Sequence, residues 1–492
     1  MSKKIMVHDT TLRDGEQTPG VSLLPEEKLM IAKALDDVGV DVIEAGAAIT
    51  SPGEQESIKK ISGENLRANI SSFARIVKDD IDKALWCGVD SVFLVAPTSD
   101  LHIKYKLGID RNELLKRMAD AIDYSKEHGL IVDLCAEDGS RTDIEFLEKV
   151  LKKATECKID RFTIADTVGI MTPDKISEIF LHLAQKAKVP LGIHCHDDLG
   201  LATANTICAV KSGAAIIDVA VNGLGERAGN TALEEAVMAL KLGYGYETGI
   251  KTEKILALSE LVEKICGIPV PPNKAIVGEN AFTHEAGIHV DGILKKAETY
   301  EAIKPELVGA KRMFVLGKHV GAKSVKKMLE DQKISVTDEQ LKEIFSQIKY
   351  MGDKGKRVTS SDLEAIADSV QGIKREKCLK VQELVAVAGN TITPTASVKL
   401  SLNGREIVES AVGTGPVDAA LKAIKHATKD VPFELVEYHV DSISGGTDAL
   451  VKVMVKLKSK DRVVTAQGTG SDIVLASVDA LVSGLNSLMA KR

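Results

Sequence analysis

Short apolar segments alternate with amphipathic helical segments eight times within about the first 245 residues of this chain. The apolar segments are rich in β-branched residues, which is typical of strands, and a helical pattern follows each of them. Strands that alternate with helices form a parallel sheet, and eight such units in about 250 residues have the size of a (β/α)8 barrel. The predicted strands are 4–8, 41–45, 67–72, 91–96, 131–136, 161–165, 189–193 and 216–221.

We therefore predict an α/β fold with a TIM barrel over residues 1–250, and an open doubly wound sheet is the alternative. No GxGxxG follows the first predicted strand, and this favours the barrel because open sheets bind dinucleotides with that glycine pattern. Residues 251–378 show helical patterns and form a predicted helical linker region. Strand patterns return in residues 379–492, where GTG sequences at Gly413 and Gly468 each open a helix. This predicts a C-terminal α+β domain with an internal repeat.

Charge and hydropathy exclude several classes of partner. The net charge of −7 argues against nucleic acid, because phosphate binding requires a clustered basic surface. No apolar run reaches the ~18–20 residues that a membrane span needs, and the first residues do not resemble a signal peptide. We expect a cytoplasmic protein without a membrane partner. Its seven cysteines form no CxxC pair and are expected to be free thiols in that reducing compartment.

In a (β/α)8 barrel, functional residues gather where the strands have ended and the helices have not yet begun. Polar side chains occupy these positions after most of the predicted strands. They are Arg13, Asp14, Gln17, Glu44, Thr98, Ser99, Glu137, Asp138, Asp166, Thr167, His194, His196, Asn222, Glu226, Arg227 and Asn230. Segments that are far apart in the sequence are thus predicted to converge on one mouth of the barrel.

The sequence HCHDD, which begins at residue 194, is the sharpest local pattern. Alternate residues of an extended segment project to the same side, so His194 and His196 can reach one ion. This pair alone is equally compatible with a structural role. Together with a carboxylate, however, two imidazoles suit a divalent cation (Mn, Mg or Zn) that keeps positions open for substrate. Asp14 is the best candidate for that carboxylate, and Asn230 is a candidate fourth ligand.

The loop DTTLRDG places Arg13 beside Asp14. A guanidinium has no acceptor and cannot bind a metal, but it can stabilise negative charge that develops on a substrate oxygen. Asp9, at the end of the first strand, is expected to accept hydrogen bonds from backbone amides. Cys195 lies between the two histidines, points to the opposite side, and is expected to be a core thiol.

Three motifs resemble the α-isopropylmalate, homocitrate and citramalate synthases: DTTLRDGEQTPG at 9–20, HCHDDLGLATANT at 194–206 and NGLGERAGN at 222–230. The similarity continues through GENAFTHEAGIHVDG at 278–292 and into the C-terminal region. This resemblance implies an enzyme that condenses acetyl-CoA with an α-keto acid and hydrolyses the thioester. It also implies a homodimer whose C-terminal domain binds an end-product amino acid as a feedback inhibitor.

The resemblance assigns roles to single residues and implies the same four metal ligands that the pattern above suggests. It implies keto-acid contacts at Arg13, Glu137 and Thr167, and it puts His289 and Tyr300 near the acetyl-CoA end of the site. Glu137 and His289 are both candidates for the base that removes a proton from the acetyl methyl group, and the sequence does not rank them.

Phe93 and Cys135 lie at family positions that line the pocket for the keto-acid side chain, where related sequences often have His and Ser. A bulky phenylalanine narrows this pocket, which favours the methyl group of pyruvate and predicts (R)-citramalate as the product. Segments such as LVAPTSDLHIKYKL also resemble the archaeal-type citramalate synthases of the family. The alternative is a 2-isopropylmalate synthase that uses 2-oxoisovalerate, because one methylene group discriminates by only ~1–3 kcal/mol. A metal-dependent aldolase-type lyase on the same barrel is a more remote alternative.

Overall fold

The computed structural model of the chain describes residues 4–285, 287–316, 320–353, 358, 360–373, 378–442, 450–460 and 462–489. The chain divides into two compact units. One contains Met1–Phe282 and Ile303–Lys311, and the other contains Thr283–Ala302 and Arg312–Arg492. Within the described part of the chain, no helix combines the length and the apolar content that crossing a bilayer requires.

Eight parallel strands of the first unit close into a barrel in sequence order, which confirms the predicted fold class. They are β1 (Met6–Asp9), β2 (Val42–Glu44), β3 (Asn69–Arg75), β4 (Ser91–Pro97), β5 (Ile131–Glu137), β6 (Arg161–Asp166), β7 (Leu191–Cys195) and β8 (Ile216–Val219). Alternate strand residues, such as Val7 and Ile193, are fully buried in the apolar core shared with the helices. The remaining strand residues face the inside of the barrel, because side chains alternate across a strand.

The helices of this unit follow the strands, as the alternation in the sequence predicts. They are α1 (Pro25–Val38), α2 (Pro52–Ser62), α3 (Lys78–Cys87), α4 (Asp100–His102), α5 (Arg111–Glu127), α6 (Ile144–Glu156), α7 (Pro173–Ala184), α8 (Ala202–Lys211), α9 (Leu233–Tyr244) and α10 (Ile255–Cys266). A π-helical turn, Ile103–Leu107, extends α4. Local sequence fixes many helix ends; for example, the Asp110 carboxylate accepts hydrogen bonds from the Asn112 and Glu113 amides at the start of α5.

One strand differs from the sequence prediction in a way that matters for the site. The seventh strand was expected at 189–193, and the structure has it at Leu191–Cys195. Pro190 has no N–H to donate to the strand ladder, so pairing begins after it. The shift puts His194 inside the strand and His196 directly after it.

The second unit contains two similar halves near its C-terminal end, which confirms the internal repeat. Each half has a three-stranded antiparallel sheet followed by a helix. The first is β11 (Leu379–Gly389), β12 (Ile392–Leu402), β13 (Arg405–Val412) and α15 (Pro416–Ala427). The second is β14 (Glu434–Ser442), β15 (Val451–Ser459), β16 (Arg462–Gly470) and α16 (Ile473–Met489). Earlier in this unit are β9 (Thr283–His284), β10 (Met313–Phe314), α11 (Gly287–Lys295), α12 (Ala322–Asp331), α13 (Asp338–Asp353) and α14 (Ser360–Val370).

Candidate active site

Three candidate metal ligands meet at the carboxyl ends of β1 and β7. The His194 Nε2 and His196 Nε2 atoms are 3.4 Å apart, and the Asp14 Oδ2 atom lies 3.9 and 4.0 Å from them. Two atoms that bind one ion at about 2.0–2.2 Å are at most ~4.4 Å apart, so all three can reach the same cation. The side chains of Asp14, His194 and His196 are buried, and they form a group that could hold a metal ion.

The protonation states of this cluster also fit a cation. Burial alone raises the pKa of Asp14, but Arg13 and the two histidines outweigh it and hold that pKa well below its usual range. Burial and the neighbouring His194 lower the pKa of His196 to about 4. At neutral pH the cluster thus offers an ionised carboxylate and a neutral His196 imidazole, the forms that bind metals.

Asn230 is positioned to complete this group. Its amide nitrogen donates to Asp14 Oδ1 at 2.8 Å and to the Leu224 carbonyl at 3.1 Å. Its Oδ1 atom is buried and has no hydrogen-bond partner among the described residues, which fits a neutral oxygen ligand. Gly225 permits this approach, because a Cβ there would lie 2.1 Å from the Asn230 amide nitrogen.

Arg13 is held as a fixed cation beside the metal-binding cluster. Its Nε donates to Glu44 Oε2 at 2.8 Å, its Nη1 donates to Asp14 Oδ2, and its side chain is 9% exposed. The guanidinium also lies over the Phe73 ring, 5.3 Å from the ring centroid. The sequence predicts Glu44 at the end of a strand but assigns it no function. The structure shows that its carboxylate fixes the orientation of Arg13.

Glu137 and Thr167 end neighbouring strands at the same mouth. The Thr167 hydroxyl oxygen accepts the Asp138 backbone N–H at 2.8 Å, which leaves the hydroxyl proton available to a substrate. Both oxygens of Glu137 accept from the Lys106 ammonium, at 2.6 and 2.8 Å. Lys106 lies on the π-helical turn after α4, and no local sequence pattern indicated that it would reach a strand-end carboxylate 31 residues away.

The two predicted pocket residues pack together inside the barrel. Phe93 and Cys135 are 1% and 3% exposed and form an apolar cluster with Val95 and Ala165. The partly buried Phe73 packs against this cluster, and its ring is the one that contacts Arg13. The apolar wall is therefore continuous with the cation that stands beside the metal-binding cluster.

His289 and Tyr300 lie in the second unit, where their rings pack against each other with centroids 4.4 Å apart. Gly292 makes this possible, because a Cβ at that position would come within 2.5 Å of the Tyr300 ring. The structure thus brings these two sequence candidates together.

Several other strand-end residues have partners that explain them structurally. Asp138 accepts from Ser99 and Arg141, and Asp166 accepts from the Ser140 hydroxyl at 2.8 Å. As expected, Asp9 accepts the Thr11 amide at 3.0 Å. Cys195 lies in the apolar core, also as expected, and all seven cysteines are free thiols.

Three family profiles match consecutive parts of the chain. The HMGL-like profile matches residues 4–262, which contain the whole barrel. The homocitrate synthase post-HMGL domain-like profile matches residues 276–356. The LeuA allosteric (dimerisation) domain profile matches residues 357–489.

Two relatives from Methanocaldococcus jannaschii match nearly the whole chain. The (R)-citramalate synthase CimA is 53% identical over 99% of this chain and 99% of its own length. The 2-isopropylmalate synthase is 50% identical over 99% of this chain and 95% of its own length. The sequence identities of these two relatives to this chain differ by only three percentage points. Overall identity therefore does not distinguish the two activities, and the residues of the candidate active site must do so.

Among solved structures, the HMG-CoA lyase from Bacillus subtilis superposes with a TM-score of 0.50 at 22% sequence identity. The match covers 55% of this chain and 96% of the lyase. At this level of identity the likeness shows a shared barrel fold and carries no information about the reaction.

Proposed function

The chain belongs to the HMGL-like family and matches an (R)-citramalate synthase over nearly its whole length, and from this premise we propose that it condenses acetyl-CoA with pyruvate to give (R)-citramalate and CoA. The observation that carries the proposal is the cluster of Asp14, His194 and His196 with Arg13 directly beside it. An α-keto acid presents two adjacent oxygen-bearing groups, which suit a cation with open positions and a neighbouring guanidinium. Free thiols and a CoA substrate fit a cytoplasmic enzyme.

Each group of the site has a part in this reaction. Asp14, His194, His196 and Asn230 would hold a divalent cation, which when bound acts as a Lewis acid on the keto carbonyl. A base removes a proton from the acetyl methyl group, and the resulting carbon nucleophile attacks the keto carbon of pyruvate. Arg13 stabilises the negative charge that develops on the former carbonyl oxygen. Water then hydrolyses the thioester and releases CoA.

The two candidate bases, Glu137 and His289, differ in the contacts that their side chains make. Both oxygens of Glu137 accept from the Lys106 ammonium, so this carboxylate is held in place by an ion pair. His289 packs against Tyr300, and its side chain is exposed on its own chain. We propose His289 as the base and Glu137, with Thr167, as a contact for the keto acid.

A thiol-release assay tests the reaction class. The enzyme is incubated with acetyl-CoA, a divalent metal and either pyruvate, 2-oxoisovalerate or 2-oxoglutarate, and free CoA and the acid product are measured. We expect CoA release that depends on pyruvate and equals the amount of citramalate formed. If the enzyme cleaves citramalate or another hydroxy acid but forms no citramalate from acetyl-CoA and pyruvate, an aldolase-type lyase is favoured instead.

The pocket residue Phe93 provides a prediction about acceptor choice. Phe93 is almost fully buried in the apolar cluster with Cys135, so Phe93→Ala removes the whole phenyl ring and opens space for a longer side chain. We expect the ratio of kcat/KM for 2-oxoisovalerate to that for pyruvate to rise by roughly 10–100-fold, the range that one or two methylene groups span. A ratio that stays at the wild-type value would show that Phe93 does not face the acceptor.

We also propose that the LeuA-type region of this chain mediates dimerisation and amino-acid inhibition. Apolar side chains stay exposed on its sheets, among them Val385 and Val408 at 59% and 64%, and such surfaces favour association. A cavity of about 470 Å³ lies between the turn at Thr414, the helix residue Leu421 and the strand residue Tyr438. Its largely apolar lining suits the side chain of a branched-chain amino acid.

Inhibition is predicted on the full-length chain. An inhibitor must bind one state of the enzyme better than another, typically by ~1–3 kcal/mol, so isoleucine should slow citramalate formation several-fold at saturation. Leucine is the expected inhibitor if 2-oxoisovalerate proves to be the acceptor. A chain truncated near Lys377, which lies outside the described residues, should keep measurable activity and lose the inhibition. If neither amino acid slows the full-length enzyme, the region serves dimerisation alone.

A further inference from the structure

A buried histidine–carboxylate pair lies inside the barrel and has no part in the reaction described above. His8 on β1 and Asp218 on β8 are neighbours across the paired strands, and each is 1% exposed. The His8 Nδ1 atom is 3.2 Å from Asp218 Oδ1. Burial lowers the pKa of His8, but the neighbouring Asp218 carboxylate outweighs burial and raises that pKa.

The same carboxylate contacts a candidate metal ligand. Asp218 Oδ2 is 3.4 Å from His194 Nδ1, on the opposite side of the ring from His194 Nε2, which faces Asp14 and His196. A carboxylate at the far nitrogen of a ligating histidine fixes the tautomer and the orientation of the ring. Asp218 is therefore placed to direct the Nε2 lone pair of His194 toward the metal-binding cluster.

His8 has a second contact, on the side of the acceptor pocket. Its ring meets Phe93 edge to face, with centroids 5.1 Å apart and planes at 70°. Phe93 in turn packs with Cys135 and Ala165 in the apolar cluster. A single buried histidine thus contacts both the carboxylate behind a metal ligand and the aromatic wall of the pocket.

Stability alone is a poor explanation for this pair. Both side chains lose their hydration when they are buried, and buried pairs of this kind can often be replaced by apolar residues without loss of stability. Moreover, both ring nitrogens of His8 and both carboxylate oxygens of Asp218 are buried without a hydrogen-bond partner among the described residues, and unmet polar groups cost free energy. A role in the candidate active site would explain why His8 and Asp218 are buried at these positions.

We propose that His8 is a positioning residue with two separable effects: through Asp218 it orients His194 for metal binding, and through Phe93 it sets the depth of the keto-acid pocket. The second effect rests on the proposed function, whereas the first concerns only the binding of a cation. Because the two contacts use different parts of the imidazole, different substitutions should remove them one at a time.

Two variants of His8 make this separation. His8→Phe keeps an aromatic ring against Phe93 but has no N–H for Asp218. His8→Asn keeps an amide N–H at the place of Nδ1 but has no ring. Asp218→Asn removes the charge of the carboxylate at nearly constant shape, and His182→Phe, on the surface helix α7, is the matched control.

The measurements are made on full-length protein. Mn²⁺ binding to metal-stripped enzyme is measured by titration calorimetry, and kcat/KM is measured for 2-oxobutyrate and for pyruvate. His8→Phe and Asp218→Asn should each raise the Kd for Mn²⁺ about tenfold, and His8→Phe should keep the wild-type acceptor ratio. His8→Asn should keep a Kd close to that of the wild type while the ratio shifts about tenfold toward 2-oxobutyrate. His182→Phe should change neither quantity.

Unchanged Mn²⁺ affinity in both His8→Phe and Asp218→Asn would overturn the metal-directed part of the proposal. Equal changes in both His8 variants would overturn the separation of roles and mark His8 as a residue of the fold alone. Thermal unfolding identifies a variant that does not fold. If His8→Phe does not fold, the difference in Mn²⁺ affinity between Asp218→Asn and His8→Asn still tests the metal-directed effect. A wild-type enzyme that binds Mn²⁺ but makes no citramalate would refute the proposed function and leave the metal measurement valid.

Discussion

Replacement of His194 or Asp14 by alanine is expected to lower kcat by roughly 10³-fold, because a bound cation contributes several kcal/mol to the transition state and each ~1.4 kcal/mol is a factor of ten. The three ligand atoms lie within 4.0 Å of one another, so the loss of one side chain leaves too few protein ligands to hold the ion. Turnover and bound metal should therefore fall together. The metal content of the purified variant, measured by mass spectrometry, is the direct check.

The control for this prediction is His182→Ala, which removes a half-exposed histidine that pairs with Glu148 on the barrel surface. It should keep wild-type turnover and metal content. Far-ultraviolet circular dichroism of the His194 and Asp14 variants should remain that of the wild type, since both side chains belong to the metal-binding cluster and not to the apolar core. Full activity in a metal-free sample of either ligand variant would contradict the site.

Arg13→Gln is also expected to lower kcat strongly, because the guanidinium is the fixed cation next to the metal-binding cluster. Loss of a donor aimed at developing oxyanion charge costs about 10²–10³-fold in kcat. The variant should also be less stable by ~3–5 kcal/mol, since Asp14 and Glu44 lose the cation with which they are buried. Steady-state kinetics and denaturant unfolding of the same preparation separate the two effects.

Arg13→Lys refines this prediction. A lysine keeps the charge but cannot contact Glu44 and Asp14 with separate nitrogens of a planar group, so it should recover part of the stability and little of the rate. Arg117→Lys, at an exposed pair with Glu113 on α5, is the matched control and should behave as the wild type. The role of Arg13 would be refuted if Arg13→Gln retained more than a tenth of the wild-type kcat.

The barrel could be predicted from the sequence because its strands are short, apolar and regularly separated by helices. The edges of the strands were less predictable, as the shift of the seventh strand past Pro190 shows. The strand Arg405–Val412 has no uninterrupted apolar segment that would mark it in the sequence. Arg405, Glu406 and Ser410 lie at exposed positions of an outer strand, where pairing with a neighbouring strand rather than apolar content determines the structure.

The candidate metal ligands could be proposed because two of them are two residues apart in one extended segment. Their supporting residues could not be found in the same way. His8 and Asp218 lie 210 residues apart and become neighbours only because β1 pairs with β8 to close the barrel. Lys106 reaches Glu137 from a π-helical turn. A single sequence contains no record of such pairings, since strand register and loop conformation create them.

The identity of the keto acid distinguishes a citramalate synthase from a 2-isopropylmalate synthase, and the ratio of two specificity constants measures it. In the wild-type enzyme, kcat/KM for pyruvate should exceed kcat/KM for 2-oxoisovalerate by at least about tenfold if the buried Phe93 ring lines the acceptor pocket as proposed, because a bulky ring there leaves little room for an isopropyl group. Both constants are measured from CoA release with saturating acetyl-CoA and the same metal. A higher kcat/KM for 2-oxoisovalerate would contradict the account and identify the chain as a 2-isopropylmalate synthase.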